Sequence, residues 1–111
     1  MTPNFKVDKI RSPEHLAFVR SQQCLVNDGK GNRCNGVPVV AHHLTIVKGE
    51  RGIGQKVGDN LTLSLCHSHH CNLHDIGEKQ WWKSWGIDAE QEARNLARLS
   101  PDEEIRNTVI E

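Results

Sequence analysis

Residues 65–75 read Leu-Cys-His-Ser-His-His-Cys-Asn-Leu-His-Asp, and few folds can carry so many metal-binding side chains in so short a stretch. Cys66-x-x-His69 has the tight spacing of a metal knuckle. His70-x-x-x-His74 sets two imidazoles one helical turn apart on the same face. Upstream lie Cys24, Cys34 and the adjacent pair His42-His43. Six of the seven histidines and all four cysteines fall between positions 24 and 74. A tetrahedral zinc uses four ligands, so this set exceeds one site. The surplus points to two metals, one that holds the chain folded and one that does chemistry.

Composition supports the first of these roles. The chain has 111 residues, 36% hydrophobic, with two Phe, three Trp and no Tyr. A core this thin commonly depends on a staple, either disulfides or a metal. The N-terminus Met-Thr-Pro-Asn-Phe-Lys has no apolar stretch resembling a secretory signal, and nothing approaches a bilayer-spanning segment. A cytoplasmic, reducing setting with no membrane partner is therefore expected, where cysteines mixed with histidines read as metal ligands.

Charge is informative only in its distribution. The chain is neutral overall, but residues 1–60 hold nine Lys/Arg against five Asp/Glu and residues 61–111 hold five against nine. The basic half includes Arg33, Lys48, Arg51 and Lys56. Three of these follow the histidine pair, a modest footprint for phosphate that an ordinary solvated loop would also give.

The pattern predicts short elements. Ser12-Pro13-Glu14 reads as a helix start, with Leu16, Val19 and Phe18 facing inward. Cys24 to Gly36 reads as a loop closed by its two thiols, and 37–44 as a strand ending on the histidine pair. A Gly-rich connection spans 45–59, long enough to be functional. Leu61, Leu63 and Leu65 alternate with Thr62 and Ser64, the period of a half-buried strand. The ligand run then opens a helix ending near Gly77. Glu78–Trp85 forms another, burying two indoles and capped by Gly86. Asp88 starts a third with a weak apolar stripe of Leu96, Leu99 and the alanines, and Ser100-Pro101 starts a fourth through Ile105 and Val109. The expected whole is an α+β single domain over 1–111, with a zinc-bound core over 12–76 and helical decoration over 77–111.

Zinc needs two short-range ligand pairs. Cys24 and Cys34 supply one. Cys66 supplies the other with either His69 or Cys71, and the two-residue gap favours His69. His42 and His43, adjacent on an extended segment, point to opposite sides. One can join His70 and His74 around a second metal while the other faces a substrate, where a neutral imidazole is a competent base near pH 7. His67 and His15 read as a surface and an ordinary helix histidine. The Trp cluster reads as core, ahead of a base-stacking platform. The Gly-rich loop matches no nucleotide-binding fingerprint.

The succession Cys-x(9)-Cys-Asn-Gly, Ala-His-His-Leu, Gly-Ile-Gly-Gln-Lys-Val-Gly-Asp-Asn and Leu-Cys-x-x-His-His-x-x-Leu-His resembles the HNH endonucleases. It is most similar to their small phage and prophage branch, which includes a recombination-enhancement nuclease. The resemblance covers roughly residues 12–87 and is specific from Ala41 to His74. It implies a ββα-metal (His-Me finger) core with flanking short helices. His43 would be the general base, and His42, His70 and His74 the catalytic-metal ligands. Cys24, Cys34, Cys66 and His69 would hold structural zinc. The family's loop-bracing Asn would be Asn60, although Asp59 has the spacing to Cys66 that the branch prefers.

The implied activity is DNA phosphodiester hydrolysis. One divalent metal, Mg²⁺ or Mn²⁺, would stabilise the leaving 3′ oxygen while His43 activates water, leaving 5′-phosphate ends. Arg51 and Lys56 would position phosphate, and a recombination protein would be a partner beside DNA. The other reading of the same residues is a non-catalytic zinc-stabilised module that binds nucleic acid or protein.

Overall fold

Two strands and five helices follow one another in a computed structural model that describes residues 10–27, 30–45 and 58–109. Helix α1 (Pro13–Arg20) starts as its sequence dictates. Ser12 caps it by accepting from the His15 amide at 3.0 Å, and Pro13 sits where no amide partner is needed. Of the residues expected inward Val19 is buried while Leu16 and Phe18 are half-buried, and His15, one turn before Val19, shares its buried face. His15 is held at this depth because its Nδ1 pairs with Ser100 Oγ at 2.8 Å.

Strand β1 (Val39–His43) begins after Pro38, which has no amide to give a ladder. It pairs antiparallel with β2 (Thr62–Cys66) in the register Val39 to Cys66, His42 to Leu63 and His43 to Thr62. Every residue of β2 is buried, so the strand is not half-exposed as its alternation suggested. Leu63 and Leu65 enter the core. On the other side Thr62 Oγ1 donates to the Asp59 carbonyl and Ser64 Oγ to the Gln23 carbonyl. Small hydroxyl residues that find backbone partners can be buried at little cost, which is why the period misled.

Helix α2 (His67–Ile76) leaves β2 directly and ends at Gly77, whose φ of 106° favours glycine. Helix α3 (Glu78–Trp85) ends at left-handed Gly86, and α4 (Ala89–Arg98) is capped by Asp88, which accepts from the Gln91 amide. The buried indoles are the adjacent Trp81 and Trp82, while Trp85 stays 41% exposed. In α4 the expected alanines Ala89, Ala93 and Ala97 are buried and Leu96 packs against the core, whereas Leu99, beyond the last turn, is exposed. The last helix, α5 (Glu103–Asn107), starts two residues later than the Ser-Pro signal because Ser100 is engaged with His15 and Asp102 takes over as N-cap.

Leu63, Leu65 and Leu73 pack with Trp81, Trp82, Ala89 and Ala93 in one core, so residues on both sides of position 76 share it. A smaller cluster of Ala97, Ile105 and Val109 lies beside Ile10. The architecture is mixed α+β, built on one two-stranded antiparallel sheet. No described helix is long and apolar enough to cross a membrane.

Candidate metal centres

The hairpin and α2 separate the cysteines and histidines into two groups. Cys24, Cys34, Cys66 and His69 bring their ligand atoms within 4.8 Å of one another. His69 Nδ1 lies 3.5 Å from Cys24 Sγ and 3.2 Å from Cys66 Sγ, and Cys34 Sγ lies 3.9 Å from Cys66 Sγ. Bond lengths of about 2.3 Å to sulfur and about 2.05 Å to nitrogen make tetrahedron edges of roughly 3.8 and 3.5 Å. The four residues therefore fit a zinc-like ion.

The local chain is shaped for this cluster. Cys66 also caps α2, its Sγ accepting from the His69 amide, which turns the knuckle onto one point. The Gly36 amide donates to Cys34 Sγ, and a Cβ at Gly36 would sit 3.1 Å from Cys66 Sγ. Burial, with the Cys66 and Cys34 thiols alongside, pushes the Cys24 thiol up to about 11. Desolvation works against ionisation of Cys66 as well, but hydrogen bonds led by the His69 amide outweigh it and lower that thiol. A bound cation deprotonates such thiols outright. Cys71 is exposed and lies near His67 Nε2 rather than in the cluster, so His69 is the fourth member.

The second group faces a cavity of about 450 Å³ lined by His42, His43, Thr45, Asp59, His70 and His74 together with Arg11. His42, at the end of β1, meets His70 and His74 from successive turns of α2, with ligand nitrogens within 4.8 Å. His70 and His74 bring their Nε2 atoms to 3.3 Å. Burial, then the neighbouring imidazoles of His42 and His74, lowers the pKa of His70 and keeps it neutral, the form a metal binds.

Two carboxylates orient this cluster. His43 Nε2 lies 2.8 Å from Asp59 Oδ1, and the other Asp59 oxygen accepts from the Ser12 amide at 2.7 Å. Burial would raise the Asp59 carboxyl, but these two hydrogen bonds prevail and hold it below its usual range. With Nε2–H given to an ionised carboxylate, His43 keeps a basic lone pair on Nδ1. Asn60 does not line the cavity, and its amide oxygen lies against Gly58. Of the pair left open by the sequence, Asp59 reaches His43. Arg51 and Lys56 lie outside the described residues.

Glu78 is the first of two residues that sequence reasoning missed. Its side chain is 6% exposed, with Oε2 lying 2.9 Å from His42 Nε2 and accepting from Trp82 Nε1 at 2.7 Å. Its other oxygen accepts from the amide and hydroxyl of Thr45. Burial would raise this carboxyl, yet the hydrogen bonds from His42, Thr45 and Trp82 bring it down to about 2. The bond to His42 Nε2 leaves Nδ1 free for a metal, the carboxylate–histidine arrangement that fixes tautomer and ring orientation at metal sites. In sequence Glu78 reads only as a first-turn acid. A first-turn position that must also reach a strand end is invisible before the fold is known. Glu78→Gln is expected to weaken divalent-metal binding at the histidine cluster about 10–100-fold while the cysteine cluster keeps its zinc. Metal titration followed by elemental analysis reads both.

Arg11 is the second residue the sequence reading passed over. It sits at the rim of the histidine cavity, 62% exposed, with Nη1 4.0 Å from Asp59 Oδ1. Asp59 is buried, but a largely solvated guanidinium 4.0 Å from it is held weakly, so it can turn toward an anion.

No curated protein and no solved structure matches the chain. A family model does, over residues 3–99, which takes in both metal clusters, the hairpin and the helices through α4. The chain therefore belongs to the family described as Protein of unknown function (DUF968).

Proposed function

We propose that the protein is a metal-dependent endonuclease of the HNH type, hydrolysing DNA phosphodiester bonds. The observation that carries this reading is the convergence of His42, His70 and His74 beside a His43–Asp59 pair, at the end of a β-hairpin that runs directly into a helix. Hairpin then helix, with ligands on the first strand's end and the helix face, is the order a ββα-metal core requires. A separate cysteine-rich cluster leaves these three histidines free of the structural task.

A divalent ion held by His42, His70 and His74 would polarise the scissile phosphate and offset charge on the leaving oxygen. The chain's own residues supply the rest. His43 Nδ1 takes a proton from the attacking water as the new O–P bond forms and the P–O3′ bond breaks. Asp59 holds the ring and balances the imidazolium charge. Glu78 holds His42 in one orientation. Arg11 contacts a phosphate oxygen, positioning the strand without reading its bases. Three imidazole donors suit Mn²⁺ or another transition ion better than Mg²⁺, which prefers oxygen ligands and retains its water.

The test is nicking of supercoiled plasmid by zinc-loaded protein across added Mg²⁺, Mn²⁺, Ni²⁺ and Zn²⁺. The reading expects activity, greatest with a transition ion. Inertness with every ion would favour a zinc-stabilised binding module. Arg11→Ala is expected to raise KM several-fold and to flatten the salt dependence of binding by about one counterion, with kcat little changed in steady-state assays.

A further inference from the structure

A second cavity, of about 330 Å³, opens on the other side of the first turn of α2, where Asn27, Asn32, Arg33 and Asn35 face His69 and Trp85. Its volume lies near the lower end of the roughly 300–1,000 Å³ typical of small-molecule clefts. We propose that this groove is a subsite for an unpaired nucleobase of the DNA strand whose phosphate occupies the histidine cavity. The proposal rests on the nuclease reading for the strand's identity but on separate residues for its contacts.

Trp85 is the main anchor. It is the most exposed aromatic residue among those described, at 41%, although Trp81 and Trp82 of the same helix are buried. Its indole is fixed on two sides, with the His69 ring 5.7 Å away and edge-on at 89°, and the Trp81 ring 6.0 Å away. An aromatic surface already held in place loses little entropy on binding, and such surfaces stack bases of any sequence. A paired base in a duplex has both faces covered, so this contact selects single-stranded DNA.

The opposite wall suits the rest of a nucleotide. Asn35 brings amide donors and an acceptor of the kind that pair with base edges. Arg33 brings a cation for the adjoining phosphate or for stacking on the base. Asn27 and Arg33 are joined by an antiparallel bridge, so this wall is tied across the loop between the two thiols. Among the described residues no carboxylate lines the groove.

Position links the two cavities. His69 lines the groove and His70, the next residue, lines the histidine cavity. A strand held at one therefore needs only a short crossing over the start of α2 to reach the other. The cysteine cluster then serves recognition as well as folding, because it fixes both walls: Cys34 beside Arg33, and His69 against Trp85.

The test uses full-length, zinc-loaded protein without added catalytic metal. Fluorescence anisotropy would measure binding of a labelled mixed-sequence single-stranded oligodeoxynucleotide and of the matching blunt duplex. Trp85→Leu is expected to weaken single-strand binding about tenfold or more and to leave duplex binding within about twofold, with Trp85→Phe retaining most of the affinity. Arg33→Ala, which leaves the indole untouched, is expected to weaken the same binding several-fold and to reduce its salt slope. Zinc content reports whether each variant is folded, and Arg33→Ala carries the test if Trp85→Leu loses zinc.

Single-strand affinity unchanged in folded Trp85→Leu or Arg33→Ala protein would overturn the proposal, as would a parent protein that fails to bind the oligonucleotide. Trp85-dependent binding by a protein that nicks nothing would uphold the subsite and remove the nuclease. Nicking with Trp85-independent binding would do the reverse.

Discussion

Cys66→Ser is expected to release the structural metal and to abolish cooperative unfolding, the largest stability effect of any single substitution considered. Cys66 is 2% exposed and belongs at once to the end of β2, the cap of α2 and the thiol cluster. The other ligands come from the loop after α1, the Asn-rich loop and the first turn of α2. One bound ion would therefore join segments that share few other constraints. Structural zinc contributes about 10–16 kcal/mol of apparent binding free energy in small zinc-dependent folds, whereas a domain's net stability is about 5–15 kcal/mol. The small apolar core around Leu63, Leu65, Leu73, Trp81 and Trp82 cannot replace a term of that size. Thermal melting with elemental analysis checks this. Cys71→Ser, at an exposed position away from the cluster, is expected to melt like the parent. A Cys66→Ser protein that keeps a sharp transition near the parent's would show that the fold stands without the ion.

His43→Ala is expected to lower plasmid nicking by about 10²–10⁴-fold while leaving the fold and both metal sites intact. The side chain is 32% exposed, and its strand register against Thr62 is made by backbone that the substitution leaves in place. Asp59 stays anchored by the Ser12 amide. His42 is next in sequence but points to the other side of the strand, toward Glu78 and the α2 histidines, so the candidate metal ligands are undisturbed. The loss should fall on kcat with KM nearly unchanged, because in the proposed reaction His43 would act on the water and not on the strand. His42→Ala should differ in kind, losing activity together with divalent-metal affinity. Unchanged nicking in folded His43→Ala protein would move the base to another residue.

Much of this site was legible in the sequence because its spacing rules are local. Cys66-x-x-His69 and His70-x-x-x-His74 each describe one turn of backbone, so the division between His69 and His70 could be read directly, and the two clusters separate there. Helix starts at Ser12 and Asp88 and ends at Gly77 and Gly86 were equally local. What could not be read depends on contacts distant in sequence. Glu78 reaches His42 across 36 positions and His15 reaches Ser100 across 85, and neither has a spacing signature. The burial of Thr62 and Ser64 rests on carbonyl partners at Asp59 and Gln23. Trp81, Trp82 and Trp85 presented three equivalent indoles, and only the packing of α3 decides which of them remains exposed.

In the proposed enzyme adjacent residues serve different ions, His69 a structural one and His70 a catalytic one. One paired measurement tests it most directly: metal stoichiometry and plasmid nicking for the parent, His69→Ala and His70→Ala proteins, each supplied with zinc and then Mn²⁺. His70→Ala is expected to keep its structural zinc and its melting transition but to lose the second ion and the activity. His69→Ala loses the zinc and the fold. Equal losses of zinc and stability in both variants would contradict it, because one shared cluster would then account for all the ligands.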